Sequence, residues 1–112
     1  NRNRSILKSA IEYIDTHYMD ESLSLNTAAQ VANISANHFS ALFSQNMGQT
    51  FIEYLTALRM EHARELLRCT GKRSSEIAAE VGYKDAHYFS YLFKKTHGMT
   101  PSEYRKTRED RG

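Results

Sequence analysis

The 112-residue chain has a single cysteine, a single proline and no tryptophan. Cys69 has no partner for an internal disulfide. His17, His38, His62, His87 and His97 are scattered without HxxxH spacing or any CxxC, so a structural metal, a disulfide framework and zinc chemistry are not expected. No phosphate loop and no nucleophile with a base partner is present; an enzyme is not expected, and no cofactor is implied. No apolar run approaches the roughly 20 residues that cross a bilayer, and the opening NRNRSILKSA lacks the apolar centre of a secretion signal. The expectation is therefore a soluble domain without membrane contact, in a reducing, cytoplasmic compartment. Asn1 stands where a complete chain would carry Met, which is expected of a piece of a longer polypeptide.

A second absence is regional. No Lys or Arg occurs between Lys8 and Arg59. Residues 1–56 carry three cations against five acids, whereas residues 57–112 carry twelve against eight. The net charge of +2 thus hides a basic second half. With 40% hydrophobic and 25% charged residues, the chain has enough apolar material to bury a core.

What is present reads as helix throughout. Ile6, Leu7, Ala10, Ile11, Ile14 and Tyr18 recur at three and four, the stripe of an amphipathic helix. Ser24 suits the N-cap of a short helix in LNTAAQVANIS. After a turn at Ala32, Asn33 and Ile34, Ser35 is placed to cap a third helix with Phe39, Leu42 and Phe43 inward and Gly48 at its end. Thr50 and Glu53 form a T-x-x-E capping box that opens a long helix, FIEYLTALRMEHARELLR.

The pattern then restarts. Residues 28–54 and 78–104 share twelve identities over twenty-seven positions, at an offset of fifty without insertion or deletion. Gly82 aligns with Ala32, Asp85 with Ser35, and Phe89, Leu92 and Phe93 with Phe39, Leu42 and Phe43. Gly98 answers Gly48, and Thr100 with Glu103 repeats the capping box, now with Pro101 at the first helical position. Ala28, Ala78, Val31 and Val81 are read as core, so the two units are expected to share one backbone shape.

The outward faces differ. In the first unit they are expected to be Asn37, Ser40, Ala41 and Ser44; in the second, His87, Ser90, Tyr91 and Lys94. A short helix, a tight turn and a second helix with a free face make the helix-turn-helix plan, whose second helix enters the major groove of DNA. The connecting helix is long enough, about 27 Å at about 1.5 Å per residue, to hold two such heads near the spacing of about 34 Å between successive major-groove segments on one face of a duplex.

The stretch IAAEVGYKDAHYFSYLFKKTHGMTPSEYR resembles the signature of the AraC/XylS family of bacterial transcription regulators. LNTAAQVANISANHFSALFSQNMGQTFIEYL resembles the family's weaker first unit, and LRMEHARELL its connecting helix. The wording is particularly similar to domains at the end of YesN-like response regulators. The resemblance implies an all-α fold of seven helices, with residues 1–49 as the N-terminal helix and first helix-turn-helix. Residues 50–69 would be the connecting helix and 70–112 the second helix-turn-helix with a C-terminal helix. It also implies a receiver or effector-binding domain elsewhere in the same polypeptide, contact with RNA polymerase by the full-length regulator, and a monomeric state for this portion alone.

Carried over by position, Asn37, Ser40, Ala41 and Ser44 would face DNA from the first reading helix. Ala86, His87, Ser90 and Tyr91 would do so from the second, with Ala86 against a thymine methyl. Lys94 would join them, and Lys95, Ser35, Thr50 and Thr100 would contact phosphates. The first unit departs from the family pattern: Ser44 and Gln45 stand where the second has Lys94 and Lys95. The second unit is therefore expected to dominate affinity.

Plainer readings stand beside these. Tyr88 and Phe89 are expected partly in the core, and His38 is expected to pack or cap. Lys94 and Lys95 also fit an ordinary solvated face. Arg2, Arg4, Lys106, Arg108 and Arg111 are ordinary tail charges, Cys69 a small helix-end residue, and Glu61 and Glu65 surface partners for Arg64 or Arg68. A helical protein-interaction module is the competing function. RNA binding is disfavoured, because single-strand readers use aromatic platforms on sheets.

Overall fold

The computed structural model describes the backbone of residues 2–111 and the side chains of residues 2–107; the side chains of Arg108 and Arg111 lie outside the described residues. Among the described residues there are seven helices and no strand: α1 Arg2–His17, α2 Leu25–Ala32, α3 Ala36–Met47, α4 Phe51–Cys69, α5 Ser74–Glu80, α6 Ala86–His97 and α7 Pro101–Arg111. The chain forms two compact units, Asn1–Leu58 and Arg59–Gly112, so that α4 supplies its first two turns to one and the remainder to the other.

In the first unit, Ala10 and Ile14 of α1, Ala28 and Ala29 of α2, Phe39 and Phe43 of α3, and Phe51 and Leu55 of α4 make one core. The rings meet edge to face, Phe43 with Phe51 at 6.1 Å and with Tyr54 at 5.5 Å, the geometry that brings the positive edge of one ring to the negative face of another. Tyr54 donates its hydroxyl to the Asp15 carboxylate at 2.6 Å. Burial first and that bond second push the phenol up to about 12.

The second unit is built the same way, with the later part of α4 as its first helix. Met60, Ala63 and Leu67 pack on Ile77, Ala78, Val81, Phe89 and Phe93. Phe93 meets Tyr104 edge to face at 5.8 Å, as Phe43 meets Tyr54. Arg105 of α7 donates to the carbonyls of Leu67, Thr70 and Lys72 at 3.2, 3.0 and 2.7 Å. It thereby satisfies the Leu67 carbonyl, which the end of α4 leaves without a helical partner, and two carbonyls of the loop that follows.

The two units repeat, but at two offsets rather than one. From the second helix of each pair onward the offset is fifty: Ser35 and Asp85 are N-caps, and Gly48 and Gly98 end the helices at φ 71° and 80°. The capping boxes also match, with Thr50 and Thr100 each bonded to Glu53 and Glu103 at 2.8 and 3.1 Å. In the preceding helix the offset is forty-nine. N-caps Ser24 and Arg73, buried pairs Ala28–Ala29 and Ile77–Ala78, and the left-handed residues Asn33 and Gly82 all correspond one residue out of step with the sequence identities. The closing bonds agree, Ile34 N–H to the Ala29 carbonyl at 3.1 Å and Tyr83 N–H to the Ala78 carbonyl at 2.8 Å.

The turn of the second unit therefore holds one residue more, Lys84, between its left-handed residue and the next N-cap. This corrects the expectation of a repeat without insertion. The structural counterpart of Gly82 is Asn33, not Ala32, and Val31 is not core: it is 49% exposed while Val81 is fully buried. One residue on a helix is a rotation of about 100°, enough to carry Val31 off the buried face. Gly82 has φ 109°, and a Cβ there would stand 2.9 Å from Cζ of Arg59. Arg59 is only 6% exposed and lies over the Tyr83 ring at 5.0 Å, so its guanidinium fills the space beneath the turn.

Candidate nucleic-acid interface

In each unit the second helix is held by its apolar side and presents the rest outward. Ser35 Oγ accepts the His38 amide at 3.1 Å at the start of α3. Asp85 accepts the amides of His87 and Tyr88 at 2.9 and 3.4 Å at the start of α6. The cap of α3 is neutral and that of α6 anionic, so the positive end of the helix dipole is left uncompensated only in the first unit. Ser35, Thr50 and Thr100 each accept a backbone amide through their hydroxyl oxygen. The Glu53 and Glu103 carboxylates already occupy the N–H groups of Thr50 and Thr100.

On α3, Asn37 and Ala41 are exposed, and Ser40 and Ser44 are half-buried beside them. His38, expected to pack or cap, is exposed, and its backbone amide donates to the Ser35 cap. On α6, His87, Tyr91, Lys94 and Lys95 are exposed and Ser90 is half-buried. Ala86 is half-buried and packs in part against the core of its unit. Tyr88 goes the other way: Phe89 is fully buried, but Tyr88 is 52% exposed. Its ring stacks on that of Tyr91 with centroids 6.4 Å apart. Tyr88 thus belongs to the outward face, and the i, i+3 spacing of two tyrosines was the available signal.

Behind α6, Tyr104 and His97 meet the basic side chains of α4. The Arg64 guanidinium lies over the Tyr104 ring at 5.9 Å and pairs with Glu61 at 3.6 Å. Burial would raise the Tyr104 phenol, but hydrogen bonds from Arg68 and Arg64 outweigh it and hold it below its ordinary value. His97 rests edge-on against Phe93 at 4.6 Å, with Nε2 buried and unbonded within the protein. Burial, then the Arg64 charge, hold His97 below the usual imidazole value, against weaker opposition from a bond to the Met60 carbonyl and from Glu61.

The folded chain therefore binds fewer protons at His97 than the unfolded chain. Its stability is steady above the unfolded value of about 6.5 and falls as pH drops below it, until the lower folded value is passed. Thermal unfolding followed by circular dichroism from about pH 7.5 to 5.5 is expected to show that decline. His97→Gln is expected to flatten it.

Among the described residues no group of His, Cys, Asp and Glu is arranged to hold a metal, and no helix is long and apolar enough to cross a membrane. The family described as "Helix-turn-helix domain" matches residues 28–107. The lactose operon transcription activator of Staphylococcus xylosus is 38% identical over 99 residues, covering 88% of this chain and 35% of that protein. The C-terminal domain of AraT, a response regulator from Geobacillus stearothermophilus, superposes with a TM-score of 0.89 at 43% identity, over 92% of this chain and 85% of that one. The C-terminal domain of the two-component response regulator yesN from Fusobacterium nucleatum does so at 0.84 and 35% identity, over 86% and 93%. The chain spans about a third of the length of the curated relatives it matches.

Proposed function

Because the chain belongs to the AraC/XylS family of helix-turn-helix domains, we propose that it binds duplex DNA sequence-specifically through α3 and α6, as the DNA-binding part of a bacterial transcription regulator. The observation that carries this reading is the pair of second helices, each capped and packed alike, with unlike side chains turned outward. His87, Tyr91 and Tyr88 are the base readers of the second unit, and Lys94 and Lys95 its phosphate contacts. Asn37 is the principal reader of the first, with Ser40, Ala41 and Ser44 alongside. The Ser35 and Thr50 hydroxyls stand at the helix starts as phosphate contacts, and Thr100, whose hydroxyl also reaches the Glu103 carboxylate, is a third candidate.

The same reading extends to the other partners that the family resemblance implies. A receiver or effector-binding domain belongs to the same full polypeptide, RNA polymerase is contacted by the whole regulator, and the portion alone is monomeric. The cytoplasm is the compartment where such a regulator meets DNA.

Selection from a random duplex library, followed by titration of the recovered duplex at several salt concentrations, tests the proposal. Log affinity is expected to fall steeply and linearly with log salt, as counterions are released from the phosphates. A flat dependence with no enriched sequence supports a protein-interaction module instead. Asn37→Ala is expected to relax the preference at one base pair by about 1–3 kcal/mol while leaving the salt slope unchanged, because a side-chain amide reads adenine by two hydrogen bonds and carries no charge.

A further inference from the structure

Resting on the assignment of α6 as a DNA-facing helix, we propose that Tyr91, braced by Tyr88, reads the C5-methyl group of thymine in the major groove. The two rings are 59% and 52% exposed, with planes 24° apart. Tyr88 is itself held edge-on by Tyr83 at 6.0 Å, and Tyr83 lies under the buried Arg59 guanidinium. A chain of contacts thus runs from the core to the helix surface and fixes the outer ring before any ligand arrives, which lowers the ordering cost of binding.

The surroundings select the occupant. α6 contains no Asp or Glu, and Lys94 and Lys95 follow the rings on the same helix with His87 before them. An apolar pair set in a cationic field calls for a polyanion that offers an apolar group. On the major-groove edges of the four base pairs that group is the thymine methyl. The counterpart of Tyr91 in the first unit is Ala41, also apolar but too short to cover the same area.

The test uses the duplex recovered by selection, with each thymine replaced in turn by deoxyuridine, which removes the methyl and keeps the pairing. The parent chain is expected to lose about fourfold in affinity at one or two adjacent positions, the amount that burial of one methyl group yields. Tyr91→Ala is expected to bind the thymine and uracil duplexes equally. Tyr91→Phe, which keeps the ring, is expected to discriminate as the parent does. Tyr91 is exposed, and unchanged circular dichroism checks that both variants fold. Indifference of the parent to uracil at every position overturns the proposal, as does loss of discrimination in Tyr91→Phe. If the parent keeps its salt-dependent binding in those cases, DNA recognition by α6 survives and only methyl reading falls; absence of any salt-dependent binding sinks both.

Discussion

Replacing Lys94 and Lys95 together by Ala is expected to weaken binding to every duplex by roughly fiftyfold at about 0.1 M salt and to flatten the log–log salt dependence by about 1.8 units. Both side chains are exposed in the last turn of α6. Each phosphate contact contributes about 0.9 units to the slope, and two are removed. The ranking of sequences should not change, because phosphate contacts carry no base information. Lys94 also acts on Glu103, whose carboxylate is held low first by the Thr100 backbone N–H, then by its hydroxyl, with Lys94 the smallest contribution. Loss of Lys94 therefore leaves the α7 cap in place. An unchanged slope removes these lysines from the phosphate contacts and leaves them as a solvated face.

Gly82→Ala is expected to destabilise the second unit by about 3 kcal/mol, which urea unfolding would register. A left-handed φ costs a side-chain-bearing residue about 1–2 kcal/mol, and overpacking typically adds about 1–3 kcal/mol. Here the added methyl meets Cζ of Arg59 at 2.9 Å in a buried site. Asn33→Gly at the corresponding position of the first unit is expected to change stability by only a few tenths, because Asn tolerates the left-handed region at modest cost. Equal effects at the two sites contradict the pairing of Asn33 with Gly82.

Most of the frame was legible in the residues. Ser24, Ser35 and Asp85 are N-caps, and both T-x-x-E boxes close as their chemistry requires. Gly48 and Gly98 end their helices, and both aromatic pairs are buried. Such features are local, and a side chain that satisfies a helix end says where that end is.

The change of offset between α2 and α5 was not legible from identity. Ala28 with Ala78 and Val31 with Val81 match at fifty by residue type, while burial matches at forty-nine. Asn33 and Gly82, the two residue types best suited to a left-handed position, held the signal. Arg59 escaped notice because a cation is ordinarily assigned to the surface, and only the packed turn shows the space it fills. Tyr88 is exposed although its neighbour Phe89 is buried, because position on the helix and not adjacency to a core Phe decides which face a ring takes.

Dimethyl sulfate protection of guanine N7 on the selected duplex tests most directly whether both units grip one DNA. Two protected clusters on adjacent major-groove turns are expected, with Asn37→Ala thinning one and Lys94→Ala with Lys95→Ala weakening both. A single cluster, untouched by Asn37→Ala, contradicts a reading role for the first unit and leaves α6 as the sole reading helix.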